Sequence, residues 1–249
     1  MDIPLLSNAG KGALRRRVIL AATDHRVVAG VEDDFHHFVV TVEHDGSHVT
    51  DVTADSKRTP WVTCPQSSVL LKQLIGVPIL VQGHADTRHI DPYSQCTHQY
   101  DLALMALSQA VRGGRRQYDI SVTDPVDDTR HVRLTRDGQA LIDWEIKGAI
   151  ILSPPEMAGT NVRKMNMKEL ASIDSEMAEA VAVVRRALML SDGRGIDYDR
   201  IPDPSIFAGR MSGACYSFQP ERIPLATRNK GTVRDFTDHP DLPLKGFPA

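Results

Sequence analysis

The sequence predicts an α+β fold, and three observations carry that prediction. Valine- and threonine-rich runs alternate apolar and polar residues, two of them are broken by Asp-Gly turn dipeptides, and helical patterns follow whole sets of strands instead of alternating with single ones. The first run is "RVILAATDHRVVAGVEDDFHHFVVTVEHDGSHVTDVTAD" (17–55), with Asp45-Gly46 placed where a tight hairpin needs positive φ. "PQSSVLLKQLIG" (65–76) opens on proline and serines and closes on glycine, the pattern of a short helix. A polar, irregular stretch, "QGHADTRHIDPYSQ", leads into "QCTHQYDLALMALSQAVRG", an apolar-periodic helix ended by Gly113-Gly114.

The second half repeats this order. "RQYDISVTD" and "RHVRLTRDGQALIDWEIKG" carry another hairpin, with Asp137-Gly138 at its turn, and "NMKELASIDSEMAEAVAVVRRALML" reads as one long helix. The expected organisation is a single α+β domain over 1–190, built of two similar meander-plus-helix halves, 15–114 and 115–190, by internal duplication. Residues 191–249 are rich in proline and glycine with little periodicity, and their apolar anchors (Ile206, Phe207, Tyr216, Phe218, Phe236) predict an irregular segment wrapped on the body.

Composition narrows the function. With 29 Lys+Arg against 32 Asp+Glu, no basic face for nucleic acid is expected. No signal-like or membrane-spanning apolar run occurs, and three cysteines at wide spacing do not form a disulfide framework, so a cytoplasmic protein with free thiols is expected. Dinucleotide, P-loop and G-x-S-x-G fingerprints are missing. His84, Asp86, His89, Asp91, Cys96 and His98 lie close in sequence but in none of the recognised zinc or iron spacings, so neither a metal nor another cofactor is expected.

What remains is acid–base chemistry. His98 and Asp101, three apart on one helix, share a face, so the carboxylate is expected to orient the imidazole as a general base; Tyr100 lies between them. Cys96, at the helix start, is read as packing rather than as a nucleophile. In "EDDFHHFVV", Asp33, Asp34, His36 and His37 lead into a strand; alternation sends the two histidines to opposite faces, and His37 is expected inward with Phe35 and Val39. "KRTPWVTC" adds Arg58 and Trp61, a cation and a flat ring suited to holding an anionic aromatic group.

"DDFHHFVVTVEHDG", "RTPWVTCP", "QCTHQYDLALMAL" and "CYSFQPERIPLATRNKGTVRDF" together resemble, over about residues 15–240, a family of bacterial proteins catalogued as a domain of unknown function. The resemblance implies a role in aromatic-compound breakdown, where a cofactor-free lyase of lignin-dimer catabolism turns phenylcoumarans into stilbenes with release of formaldehyde, or of carbon dioxide from a carboxylated substrate. Such a lyase needs a base for the phenol, an acid for the departing aryl oxide and a base for the hydroxymethyl group. His37, His98, Asp101 and Tyr100 are the expected catalytic residues, Arg58 and Trp61 the expected substrate-binding ones, and the partner is a small aromatic molecule, with a homodimer compatible with a strand-rich chain of this size. Two other classes fit the same residues: a non-enzymatic binding or scaffold protein for an apolar ligand, and a thioester hydrolase or isomerase of aromatic catabolism.

Overall fold

A computed structural model of the chain describes residues 3–7, 10–79 and 87–247. Strands β1 (Ala13–Thr23), β2 (Arg26–Asp33), β3 (His37–His44) and β4 (Val49–Arg58) form an antiparallel meander, followed by a 3-10 helix (Cys64–Leu74) and by α1 (Thr97–Arg112). β5 (Arg115–Thr123), β6 (Thr129–Arg136), β7 (Gln139–Lys147) and β8 (Ile150–Ser153) form a second meander, followed by α2 (Met167–Ile173) and α3 (Ser175–Ser191). All eight strands join one antiparallel sheet in the order β4-β3-β2-β1-β5-β6-β7-β8, so the fold is α+β and the two meanders meet along β1 and β5.

Helices lie on one face of this sheet. α1 covers β1, β2 and β3, while α3 covers β5, β1 and β6. The core is filled by the residues the strands send to that face: Leu14, Val18 and Leu20 of β1, Val27, Ala29 and Val31 of β2, and Phe38, Val40 and Val42 of β3. Leu102, Ala103, Ala106 and Leu107 of α1 meet them. Both Asp-Gly dipeptides occupy hairpin turns; Asp137 and Gly138 both take positive φ, at 51° and 82°, which suits the twist of the flanking strands.

The expected single helix over 166–190 is two helices. Asp174 leaves helical geometry (φ −147°, ψ 95°) and its carboxylate accepts the Met177 backbone N–H, so a new helix starts where the periodicity continues unbroken.

Residues 237–247, the last part of the C-terminal segment, cross the other face of the sheet, while Ile201, Phe218 and Ala226 pack on Trp61 and Cys64. Arg15 donates to the Thr237 carbonyl, and Arg17 to the carbonyls of Pro240, Asp241 and Pro243. The Leu244 N–H donates to Glu32 at 2.7 Å. Phe247 presses its ring on Gly30, where a Cβ would come within 2.3 Å of it. Among the described residues no helix is long and apolar enough to cross a membrane.

Candidate functional site

The site is built where β2 ends. Asp33 faces Arg16 across the β1–β2 ladder, and both point toward the helices. The chain turns there because Asp33 Oδ1 accepts the backbone N–H groups of Phe35 (2.9 Å) and His36 (2.8 Å), the local bond by which aspartate favours turns. The same oxygen lies 3.0 Å from His36 Nδ1, while Oδ2 takes the Arg16 guanidinium. Arg58, at the end of β4, holds the turn from behind by donating to the carbonyls of Asp33 (2.6 Å), Asp34 (2.9 Å), His36 (3.2 Å) and Thr232 (3.0 Å) and to the Glu32 carboxylate (3.2 Å). His98 comes down from the first turn of α1 and stacks on His36, ring centroids 3.9 Å apart and planes 28° from parallel, with Phe38 alongside.

Burial sets the charges. It pushes both imidazoles below the ordinary 6.5, opposed at His36 by the neighbouring Asp33. His98 sits well below 6.5, through burial and then through His36, Arg16 and Arg186. Burial works to raise the Asp33 carboxyl, but His36 and Arg16 outweigh it and hold Asp33 well below the usual carboxylate range. At neutral pH the cluster is therefore one ion pair and two neutral imidazoles. As a carboxylate Asp33 only accepts, so His36 Nδ1 is the donor and the lone pair is on His36 Nε2. Two buried nitrogens here have no partner: His98 Nε2 and Arg16 Nε.

Asp33, His36 and His98 bring donor atoms within 4.8 Å of one another, which invites a test as a metal site. Two imidazoles sharing one ion at ~2.0 Å per bond must hold their centroids about 4.5–5 Å apart, with both ring planes passing through the ion. A face-to-face stack at 3.9 Å meets neither condition, and Asp33 is already committed to Arg16 and to three N–H donors. The arrangement fits a hydrogen-bonded acid–base cluster and not a ligand sphere. Of the acid- and histidine-rich stretch before α1, His84 and Asp86 lie outside the described residues; His89 and Asp91 are exposed, and Asp91 closes a turn on the Tyr93 N–H. Cys96 is buried in the core, its thiol pushed up to about 11 by burial.

The structure redistributes the expected site residues. His98 is in the cluster. His37 is not: the inward set of β3 is His36, Phe38, Val40 and Val42, and His37 lies on the opposite face, half-buried with Nδ1 3.5 Å from Glu32. Asp101 does not orient His98; it binds Arg186 of α3 at 2.9 and 2.7 Å, and the orienting carboxylate is Asp33, acting on His36. Tyr100 packs into the main core with Thr87 at its hydroxyl. Arg58 and Trp61 do not pair. Arg58 lies over Phe236 at 5.9 Å, and Trp61 is buried in a smaller apolar cluster with Cys64, Ile201, Phe218 and Ala226, with Arg228 over its ring at 5.8 Å. The residues the sequence reading passed over as site members are Arg16, Asp33 and His36. Their signal was present: Arg16 falls on the inward phase of the β1 alternation, between Leu14 and Val18, where a charge has to find a partner.

Comparison with known proteins bears on one segment. Residues 19–112 match the model of a family described as Protein of unknown function (DUF2889). The DUF2889 segment runs from β1 to the end of α1, and so contains Asp33, His36 and His98, while Arg16 and Arg186 lie outside it. A comparison with curated proteins gives no match.

Proposed function

We propose that the protein is a cofactor-independent acid–base enzyme, with His36, oriented by Asp33, as the base that takes and returns the protons, His98 as a neutral hydrogen-bond donor to the leaving oxygen, and a phenolic aryl-ether dimer of the phenylcoumaran type as substrate. The observation that supports the reading is the buried pair of neutral stacked imidazoles, one held in a defined tautomer by a carboxylate and the other with an unpaired Nε2. A structural core has little use for such a pair, because each buried polar atom left without a partner costs about 1–3 kcal/mol. The substrate class rests on the resemblance carried by "DDFHHFVVTVEHDG" and "QCTHQYDLALMAL", which include the three residues of the cluster.

The chemistry asks for proton transfers alone. A base removes the phenolic proton, and the electron pair released opens the benzylic C–O bond to a quinone methide while the departing aryl oxide takes a proton. Removal of the hydroxymethyl O–H proton then breaks the bond to that carbon, formaldehyde leaves, and the electrons restore the ring as a stilbene phenol. Two protons are taken and two returned, each taken up by the neutral His36 imidazole and given back from its imidazolium.

The test is to incubate purified, chelator-treated protein with a phenylcoumaran dimer, following stilbene absorbance and trapping formaldehyde, with His36→Ala and His98→Ala alongside. Turnover that disappears in both variants is the expected result. Absence of turnover overturns the lyase reading and favours the apolar-ligand scaffold.

A further inference from the structure

We propose that Arg16 and His98 form an oxyanion subsite, in which Arg16 Nε and His98 Nε2 receive a ligand oxygen that carries or gains negative charge, a phenolate or aryl oxide. This rests on the reading of the cluster as an acid–base centre and adds to it the charge of the group the site takes.

Arg16 is 5% exposed and His98 8%. Arg16 spends one nitrogen, Nη1, on Asp33, and its Nε–H, a donor that an apolar setting cannot satisfy, is buried without a partner. Asp33 lies in the same 4.8 Å group as the imidazole of His98, whose Nε2 is likewise buried and unpartnered. Asp33 Oδ1 takes His36 Nδ1 and two backbone N–H groups and Oδ2 takes Arg16 Nη1, and neither oxygen bonds the Arg16 Nε–H.

The surrounding charges balance, and the preference for an anion rests on the two donors. Arg186 binds Asp101, which shares a helix face with His98 one turn away, so a second guanidinium from α3 stands near the same imidazole. The charged groups around His98 are therefore Arg16 and Arg186 against Asp33 and Asp101, and each of the two carboxylates is already bonded to its arginine. A neutral His98 that donates from Nε2 beside an arginine Nε–H is the donor pair an oxyanion requires. In the proposed reaction it would hold the aryl oxide as the benzylic C–O bond opens; His98 and Arg16 stabilise the charge and transfer no proton, and the proton the aryl oxide takes is the one His36 has removed from the phenol.

The test uses 4-nitrophenol, whose ionised form absorbs in the visible, and 4-nitroanisole, an isostere that cannot ionise. Titrated with the full-length protein slightly below neutral pH, 4-nitrophenol is expected to bind as the phenolate with a rise in visible absorbance, and about tenfold or more tightly than 4-nitroanisole, the scale of a charge-assisted hydrogen bond. Arg16→Met is expected to abolish that preference. Arg16→Lys, which keeps a cation for Asp33 but has no Nε–H at that place, is expected to fold and still lose most of it. Equal binding of the two probes, no binding of either, or an undiminished phenolate preference in a folded Arg16→Lys protein would overturn the subsite. The outcomes separate from those of the lyase reading: phenolate binding without turnover sustains the subsite and ends the lyase, and turnover without phenolate preference does the reverse.

Discussion

The imidazoles of His36 and His98 lie face to face with centroids 3.9 Å apart, although one belongs to the turn before β3 and the other to the first turn of α1. Two elements that pack by their apolar faces thus meet at one end through a pair of polar rings. Replacing either ring by phenylalanine keeps the shape and the stack while removing the proton-carrying nitrogens. His36→Phe and His98→Phe are expected to fold, with unfolding midpoints near the wild type, and to lose turnover of a phenylcoumaran by about 10²–10⁴-fold, the usual worth of a positioned acid or base. Full activity in either variant would remove that ring from the mechanism.

Acidity should act on this region in two opposed ways. His36 and His98 have folded pKa values below the 6.5 of a free imidazole, so their contribution to stability is complete above pH 6.5 and is lost as pH falls toward the folded values. Asp34, the next residue to Asp33, is raised from 3.8 to about 7 because burial outweighs the adjacent Arg194, and its contribution is present below 3.8 and lost as pH rises through about 7. The two slopes offset one another in the wild type. Asp34→Asn removes the second, so its stability should climb more steeply between about pH 5 and 7, by up to ~1.4 kcal/mol per pH unit. Urea unfolding at a series of pH values reads this directly, and parallel profiles for the two proteins would contradict it.

Arg58 is bonded as a clamp in this fold. It donates to the carbonyls of Asp33, Asp34, His36 and Thr232, and Arg58→Ala removes this donor from all four, although the Asp34 and His36 carbonyls keep the N–H groups of Arg234 and Asp33. The expected loss is about 2–4 kcal/mol of stability, with turnover falling as the turn loosens. A substrate-binding Arg58 would behave otherwise, with KM raised and the urea midpoint unmoved, so the two measurements together decide its role.

Local chemistry made most of the fold legible. The valine-rich alternation, the Asp-Gly turns and the Gly113-Gly114 stop each fix one element through its own residues, and α1 ends where the glycines stop it. The phase of β3 was not legible in the same way. "FHHFVVTV" offers an apolar residue to both faces at several positions, so either histidine could have been the inward one; the register with β2, where Phe38 meets Val31 and Val40 meets Ala29, decides for His36. The partner of Asp101 was hidden for a related reason. An i, i+3 neighbour on the same helix is visible in sequence, whereas Arg186 arrives from α3, and only the packing of two helices on one sheet brings it there. The Arg16–Asp33 pair is a cross-strand contact: the alternation of β1 turns Arg16 inward, but only the register with β2 names Asp33 as its partner.

The seating of the C-terminal segment depends on the missing side chain of Gly30. A Cβ at this position would lie 2.3 Å from Phe247 Cε2 and 2.8 Å from Cδ2, far inside contact distance, so Gly30→Ala has to push the ring off the sheet. The expected cost is about 1–3 kcal/mol, the range of overpacking, together with faster proteolytic clipping of the segment. Phe247→Ala on its own gives up the ring's contact but makes room for the new methyl group. In the double variant the Gly30→Ala change should therefore cost almost nothing, a coupling of ~1 kcal/mol or more between the two positions. Additive costs would mean that the ring is not held on Gly30 in solution. The helix-free face would then be closed by the bonds that Arg15, Arg17 and Glu32 make to the segment, which neither substitution touches.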